Sequence, residues 1–108
     1  MPEAAPDSAA RVQLRDGRLH IPGATYEQHL AGCVAVALTE REGHWWLLPL
    51  RAGAGGLQIK QRNPRGDRVV ETQEFFRSQG LEDSPLARDY ALLPDVQLGA
   101  FRLGAVDS

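Results

Sequence analysis

Residues 12–21 of the chain read VQLRDGRLHI and carry the clearest structural signal in the sequence. Apolar and polar residues alternate on both sides of Asp16 and Gly17, and an Asp-Gly pair between two alternating segments is the strongest short-range signal of a β-hairpin. A two-residue turn pairs Leu14 with Leu19 on one face and leaves the arginine, glutamine and histidine side chains on the other. The sequence therefore predicts a hairpin with one buried, apolar face.

Two short helices are predicted, one in each half of the chain. Each lies between a threonine that can cap its first turn and a glycine that can end its last turn, Thr25 to Gly32 and Thr72 to Gly80. Each also carries an aromatic residue that can anchor it. We therefore expect two short helices that pack against a sheet.

The remaining apolar segments are predicted as strands of an antiparallel sheet. Residues 63–66, Asn-Pro-Arg-Gly, have the order that favours a type I turn between two of them. The predicted strands cover residues 33–38, 44–50, 57–62, 67–70 and 96–103. Residues 82–95 contain two prolines and four acids, so mostly loop is expected there. The prediction is an α+β domain of mainly antiparallel β-sheet, with three hairpins, two short helices and a closing C-terminal strand, which could roll into a small barrel.

The two ends of the chain differ in composition from its middle. Residues 1–10 contain no large aliphatic residue after Met1, so a disordered N-terminal tail is expected there. A single β-rich domain is expected over residues 11–104, with a short C-terminal tail at residues 105–108. A chain of 108 residues has the size of one domain, which excludes a large multidomain enzyme.

The overall composition is that of a soluble globular protein. Apolar residues make up 43% and charged residues 24% of the chain, and no apolar run approaches the roughly 18 residues that a membrane helix needs, so no membrane partner is expected. The formal net charge of −2 gives no overall basic field for nucleic acid. Cys33 is the only cysteine and cannot form an internal disulfide, and the N-terminus lacks the features of a secretory signal, so we expect a cytoplasmic location.

Two stretches of the chain follow the same order of features, a hairpin with a glycine in its turn, an extended segment, a short helix and a glycine stop. Gly17 and Gly66 are 49 positions apart, and the same offset places Ile21 on Val70. The match thus covers apolar positions as well as turns. Either an internal duplication or chance accounts for this similarity between the two segments.

The first copy resembles a known family. Residues 16–32, where Asp-Gly-Arg-Leu-His-Ile-Pro precedes a short helix, resemble the looped-hinge hairpin of the AbrB, MraZ and SpoVT-type regulators. Residues 65–80 resemble it more faintly, because Asp67 interrupts the Gly-Arg pair and Glu71 replaces the proline. The resemblance implies a β-barrel of paired hairpins, usually formed by dimerisation, with basic side chains that contact DNA.

The most functional-looking charge feature is residues 51–70, which contain five basic residues and one acid. Lys60 and Arg62 fall on one face of a predicted strand and Arg65 projects from the turn, a geometry that can meet phosphates along a backbone. The alternative is an ordinary solvated strand face with a cross-strand pair between Arg62 and Asp67. The candidate nucleic-acid contacts are Arg15, Arg18, Lys60, Arg62, Arg65 and Arg68.

Protein binding is the alternative function. Trp45 and Trp46 point to opposite faces of a predicted strand, so the two tryptophans cannot share one core layer, and either of them, together with the acidic residues 82–95, could form a protein interface. DNA binding predicts one continuous basic face, whereas an adaptor predicts an apolar patch around an exposed tryptophan. A homodimer fits either function, and a small-molecule pocket inside the barrel stays open because pockets need no linear motif.

The sequence contains no catalytic or metal-binding signature. His20, His29, His44 and Cys33 lack the spacing of a zinc site, and no second cysteine supports them. Cys33 opens an apolar segment, where a small buried filler is expected rather than a nucleophile. We therefore expect a non-enzymatic protein with no catalytic residues, no bound metal and no cofactor.

Overall fold

The computed structural model describes residues 10–52, 55–81 and 86–106. In these ranges the strands are β1 (Arg11–Arg15), β2 (Arg18–Ile21), β3 (Ala35–Arg41), β4 (His44–Leu50), β5 (Leu57–Gln61), β6 (Arg68–Glu71), β7 (Arg88–Asp95) and β8 (Ala100–Ala105). The helices are α1 (Gly23–Thr25), which continues as a π-helical segment (Tyr26–Leu30), and α2 (Gln73–Ser78). The strands are all paired antiparallel and close into a barrel in the order β1-β2-β6-β5-β3-β4-β8-β7. The predicted small barrel of mainly antiparallel sheet is confirmed.

The first hairpin has the predicted register. Leu14 lies opposite Leu19, and Arg15 lies opposite Arg18. Asp16 and Gly17 have φ angles of 56° and 75°, and a positive φ at both central residues defines the type I′ turn that matches the twist of a hairpin. An L-residue other than asparagine or aspartate rarely adopts this backbone, which explains why Asp-Gly occupies the turn.

The barrel interior is filled by alternate residues of the strands. Leu19, Leu47 and Val70 are fully buried there, and Leu30 and Phe76 add side chains from the helical segments. The other buried members of this cluster are Val12, Leu14, Ile21, Val36, Tyr90, Leu92 and Leu103. Period-two burial along the strands leaves the polar residues of β1, β2 and β5 on the outside.

The prediction of mostly loop over residues 82–95 is wrong for its second half. Residues 88–95 form β7, which pairs with β1 on one side and β8 on the other, so the barrel contains four hairpins rather than three. Pro94 and Asp95 lie at the end of this strand, and the Asp95 carboxylate accepts hydrogen bonds from Gln97 and Leu98 in the following turn. The turn-forming residues thus mark the end of the strand. Residues 82–85, the first part of the predicted loop, lie outside the described residues.

The first and last residues that the structure describes are Ala10 and Val106. Ala10 accepts a hydrogen bond at its carbonyl from Leu92, and residues 1–9 of the predicted N-terminal tail lie outside the described residues. β8 extends to Ala105, which pairs with Tyr90, so the strand runs one residue past the predicted end of the domain. Residues 107–108 lie outside the described residues.

The two threonines do not cap the helices as predicted. The Thr72 hydroxyl donates to the carbonyl of Gly17 at 2.7 Å, and the Thr25 hydroxyl donates to the carbonyl of Arg11 at 3.2 Å. Both threonines are buried, so their hydroxyls bond backbone carbonyls of the first hairpin instead of the first helical turn. Each threonine therefore fastens a helix to the barrel wall.

The similarity between the two halves of the sequence has a structural counterpart. Each half supplies a hairpin, a helix and a second hairpin, and exchanging β1–β4 with β5–β8 reproduces the same cyclic strand order. At the centre of this arrangement β2 pairs with β6, with Leu19 opposite Val70. This pairing brings the two hairpins with the predicted basic residues side by side.

Candidate nucleic-acid interface

The outer surface of β1, β2, β6 and β5 carries a group of basic residues, here named the basic face and defined as Arg15, Arg18, Lys60 and Arg62. Arg15 and Arg18 are cross-strand neighbours. Lys60 lies in a row with His20, because both residues pair with Val69 of the intervening β6. Side chains at paired positions share a face of the sheet, so the β2–β6 pairing joins two sequence segments into one surface.

His20 lies in the middle of the basic face. Burial lowers the pKa of its imidazole below the ordinary 6.5, and the charges of Arg15, Arg62 and Arg18 lower it further, while Asp16 acts in the opposite direction. The three guanidinium groups are therefore all within electrostatic range of one imidazole. Burial and the cationic neighbours both disfavour the imidazolium, so they favour the neutral form of the ring.

Glu71 is the acid that interrupts the basic face. The Nε of Arg18 donates to both of its carboxylate oxygens, at 3.1 and 3.0 Å, and Gln73 donates to one of them at 2.9 Å. The hydrogen bond from Gln73, followed by that from Arg18 and by the charges of Arg18 and Lys60, lowers the pKa of Glu71. The side chains of Arg18 and Glu71 are 48% and 45% exposed, so solvent screens this ion pair and a competing anion can reach it.

The other three basic-face residues have no such partner. In the described part of the chain, the side chains of Arg15, Lys60 and Arg62 form no hydrogen bond and no ion pair. The predicted cross-strand ion pair of Arg62 with Asp67 is not formed there: the two residues are joined through their backbones, with Arg62 N donating to Asp67 O at 2.7 Å. These cations are therefore available to an external anion.

Arg65 and Arg68 lie away from the basic face and differ from each other. Arg65 is at the tip of the β5–β6 turn, where its side chain is 80% exposed and lies 3.5 Å from Asp67. The Arg68 guanidinium stacks 4.1 Å from the centroid of the Tyr26 ring and donates to the carbonyl of Gly66 at 2.6 Å. Arg65 can reach outward, whereas Arg68 is engaged in holding the π-helical segment against the barrel.

The loop between β5 and β6 is fixed by hydrogen bonds of its own residues. Gly66 N donates to Asn63 O at 3.1 Å, the bond expected of the predicted turn, and the Asn63 side-chain oxygen accepts from the amides of Arg65 and Asp67. The Asp67 carboxylate accepts from Asn63 and, at 2.7 Å, from the amide of Gly23. These bonds, with that from Asn63 the largest cause, lower the pKa of Asp67. The sequence predicted this turn but not the role of Asp67 in attaching it to α1.

A cavity of about 230 Å³ opens beside the basic face, between the first hairpin and the β5–β6 loop. Its apolar lining comes from Val12, Ile21 and Pro22. Its polar lining consists of Arg11, Gln13, His20, Arg62, Asp67, Arg68 and Asp89. Sequence reasoning missed this cavity, because its lining residues come from four separate segments that only the barrel brings together.

Trp45 packs within the protein. Its ring makes edge-to-face contacts with Phe76 and Tyr90, at centroid distances of 5.1 and 5.8 Å, and its indole N–H donates to Gln79 at 3.1 Å. Trp45 thus seals the core beneath α2 and has a partner for its polar atom.

Trp46 lies on the opposite face of β4, between Thr39 of β3 and Arg102 of β8, and is half-buried. The large apolar residues that are clearly exposed in the described ranges are Val34, Leu86, Val96 and Leu98. Neither tryptophan belongs to this exposed group. Val96 and Leu98 sit together in the β7–β8 turn.

The described residues contain no cluster of metal-ligating side chains and no membrane-spanning helix. Within residues 10–52, 55–81 and 86–106, no group of three or more histidine, cysteine, aspartate or glutamate residues could hold a metal ion. In those ranges no helix is long and apolar enough to cross a membrane. Cys33 is buried. Comparisons of the chain with protein-family models, with curated proteins and with solved structures found no match.

Proposed function

We propose that the protein is a small, non-enzymatic, cytoplasmic DNA-binding domain of regulatory type, which contacts the phosphate backbone of duplex DNA through the basic face. The observation that carries the proposal is the gathering of Arg15, Arg18, Lys60 and Arg62 on one outer surface by the β2–β6 pairing. The resemblance of residues 16–32 to the looped-hinge hairpin of DNA-binding regulators supports the same proposal. Arg65, exposed at the loop tip, extends the contact surface.

The basic face is suited to phosphates rather than to base edges. Three of its four cations have no acidic partner in the described residues, and all four project from a closed barrel that keeps their spacing fixed. Contacts from lysine and arginine to phosphate supply affinity and position without reading sequence. Glu71 opposes binding, so Arg18 reaches a phosphate only by exchanging its carboxylate partner for it.

Fluorescence anisotropy of a labelled duplex, titrated with the protein at about 50 and 200 mM salt, tests the proposal. Each phosphate neutralised contributes roughly −0.9 to the slope of log affinity against log salt, so three to four contacts predict about 40- to 150-fold weaker binding at the higher salt. The double variant Lys60→Ala with Arg62→Ala should lower the magnitude of this slope by about 1.8.

A matched control removes the same charge elsewhere. Arg41 and Arg51 are exposed and lie outside the basic face, so their double alanine variant should keep nearly the wild-type affinity and salt slope. Absence of binding at tens of micromolar protein in about 50 mM salt would refute DNA binding, because low salt tightens even non-specific binding well below its roughly 10⁻⁴ M limit at physiological salt. Equal effects of the two double variants would show that the basic face is not the contact surface.

Protein binding is the second candidate function. Val96 is 93% exposed and Leu98 is 53% exposed in one turn, which exposes apolar surface to a partner. The simplest partner is a second copy of the chain, and sedimentation velocity over a series of protein concentrations tests it. A homodimer that dissociates in the double variant Val96→Ser with Leu98→Ser would support this candidate, and a monomer at every concentration would exclude self-association.

A further inference from the structure

We infer that the cavity beside the basic face is a seat for one phosphate group, bound by Arg62 and His20, and that His20 takes up a proton when the seat is filled. This inference rests on the proposed function, because it names the place where a backbone phosphate enters the basic face and adds a dependence on pH. The seat is formed by the first hairpin together with the β5–β6 loop.

The size of the cavity limits its occupant. Pockets for drug-sized ligands have volumes of about 300–1,000 Å³, and this cavity, at about 230 Å³, falls below that range. It is partly open to solvent, its apolar lining comes from Val12, Ile21 and Pro22, and its charged lining, here called the rim, comes from arginine and aspartate side chains. Such a shape admits a single phosphate group that remains attached to a chain outside the cavity.

The two acids of the rim are already engaged with other donors. The Asp67 carboxylate accepts hydrogen bonds from Gly23 N at 2.7 Å and from Asn63 at 3.0 Å. The Asp89 carboxylate accepts one from the side chain of Gln13 at 3.1 Å. These bonds hold the two carboxylates in place, and in the described residues neither carboxylate forms an ion pair with Arg62 or Arg68.

Of the groups that can bind an anion, Arg62 and His20 are the ones free to do so. Arg68 is stacked on Tyr26 and bonded to Gly66 O, whereas the Arg62 side chain has no hydrogen bond or ion pair in the described residues. The Nδ1 atom of His20 is buried and lacks a hydrogen-bond partner there. A buried polar atom without a partner is costly, and because His20 lines the cavity, a phosphate there can supply a partner once the imidazole turns toward it.

The chemistry of imidazole couples this contact to a proton. A neutral imidazole has one donor and one acceptor nitrogen, whereas the imidazolium donates from both, so an anion favours the protonated ring. Every element around His20 contributes charged groups: Arg11, Arg15 and Asp16 from β1 and its turn, Arg18 from β2, Lys60 and Arg62 from β5 and its end, Asp67, Arg68 and Glu71 from the loop and β6, and Asp89 from β7.

The direction of the effect follows from these charges. Without an anion, burial and the neighbouring guanidinium groups keep the pKa of His20 below its ordinary value. A bound phosphate adds negative charge beside the ring and raises that pKa. Between the lower and the higher pKa, binding takes up a proton, so the affinity for the anion rises as the pH falls through this interval.

NMR titration of the three imidazole groups against pH tests the inference in the wild-type protein. The probes are sodium sulfate, a tetrahedral dianion that keeps its charge between about pH 5 and 8, and a short duplex, each compared with sodium chloride at the same ionic strength. The pKa of His20 should rise by about one unit at saturation, which corresponds to about tenfold tighter binding by the protonated form. His29 and His44 lie outside the cavity and serve as internal controls.

Two variants extend the test. His20→Gln should remove the pH dependence of duplex affinity while leaving its salt dependence, and Arg62→Gln should abolish the effect of sulfate on His20, whereas Arg41→Gln should not. Duplex binding with an unchanged pKa of His20 overturns the phosphate seat and leaves the proposed function standing. If sulfate raises the pKa of His20 but the duplex does not bind, the cavity binds a tetrahedral anion and the proposed DNA binding fails. If sulfate leaves this pKa unchanged and the duplex does not bind, both proposals fail.

Discussion

At the scale of single residues, the basic face combines free cations with one acid and one neutral imidazole. Arg15, Lys60 and Arg62 lack acidic partners in the described residues, whereas Arg18 shares its charge with Glu71. An external phosphate must therefore compete with this carboxylate for Arg18. Because cations and an acid lie side by side, a single substitution that removes one charge should change the affinity of the basic face for phosphate.

Replacing Glu71 by glutamine should strengthen duplex binding. The change removes the negative charge next to Arg18 and Lys60, and at about 50 mM salt we expect affinity to rise by about threefold to tenfold. Anisotropy titration measures it, with Glu42→Gln in the distant β3–β4 turn as the control for net charge. Equal affinities of the wild-type protein and Glu71→Gln would contradict the prediction.

Asp67 should stabilise the fold only above acidic pH. Its pKa is lowered from the ordinary 3.8 by the hydrogen bonds from Asn63 and Gly23, so the folded state favours the carboxylate. The stability that this provides is present above 3.8 and is lost as the pH falls through the lowered folded-state pKa. Urea unfolding of the wild-type protein and Asp67→Asn at several pH values should show a difference near neutrality that disappears in acid. A difference that persists in strong acid would mean that the carboxylate charge is not its cause.

At the scale of elements, the predicted hairpins and turns were those that local chemistry specifies. Asp16 and Gly17 form the type I′ turn, and residues 63–66 form the turn predicted from Asn-Pro-Arg-Gly. Strand β7 was missed because Pro94 and several acids gave residues 82–95 the composition of a loop. Its strand conformation depends on pairing with β1 and β8. This pairing cannot be predicted from the residues of β7 alone.

A core substitution in β7 distinguishes the strand from a loop. Leu92 is 1% exposed and its amide donates to Ala10 O at 2.8 Å. Because a buried leucine leaves a cavity when truncated, Leu92→Ala should lower the free energy of unfolding by about 2–5 kcal/mol in urea denaturation. Val96→Ala, in the exposed turn, should change it by less than about 0.5 kcal/mol. Similar small effects of both changes would argue against a buried strand.

At the scale of the whole molecule, the two halves of the chain interleave. The β1–β2 hairpin has β6 and β7 as its neighbours, and the β3–β4 hairpin has β5 and β8. Each hairpin therefore borders only hairpins from the other half. Neither half can close a barrel alone as a monomer, since the edges of its hairpins would be left unpaired.

Separating the halves should consequently abolish folding until they are recombined. Fragments 1–52 and 55–108 should each lack a cooperative thermal transition as monomers, and an equimolar mixture should regain the circular dichroism of the intact chain. Size-exclusion chromatography identifies any fragment that assembles with a second copy of itself. A monomeric fragment that unfolds cooperatively by itself would contradict the interleaved arrangement.

Local conformations of this protein follow from short segments of its sequence. Alternation around Asp16 and Gly17 specifies the first hairpin, and the glycines at 32 and 80 end the helical segments with left-handed φ angles of +83° and +88°. These features depend on backbone sterics within a few residues, so they can be read from the chain.

Contacts between distant segments become visible in the folded barrel and not in the sequence pattern. The β2–β6 pairing joins the basic residues of two hairpins into one face, the β7 strand closes the barrel, and the cavity at His20 forms where four segments converge. The local sequence predicts that Thr25 and Thr72 cap helices. In the barrel their hydroxyls instead donate hydrogen bonds to backbone carbonyls of the first hairpin. The physical reason is that strand pairing and burial depend on contacts between residues far apart in sequence, whose energies no local pattern contains.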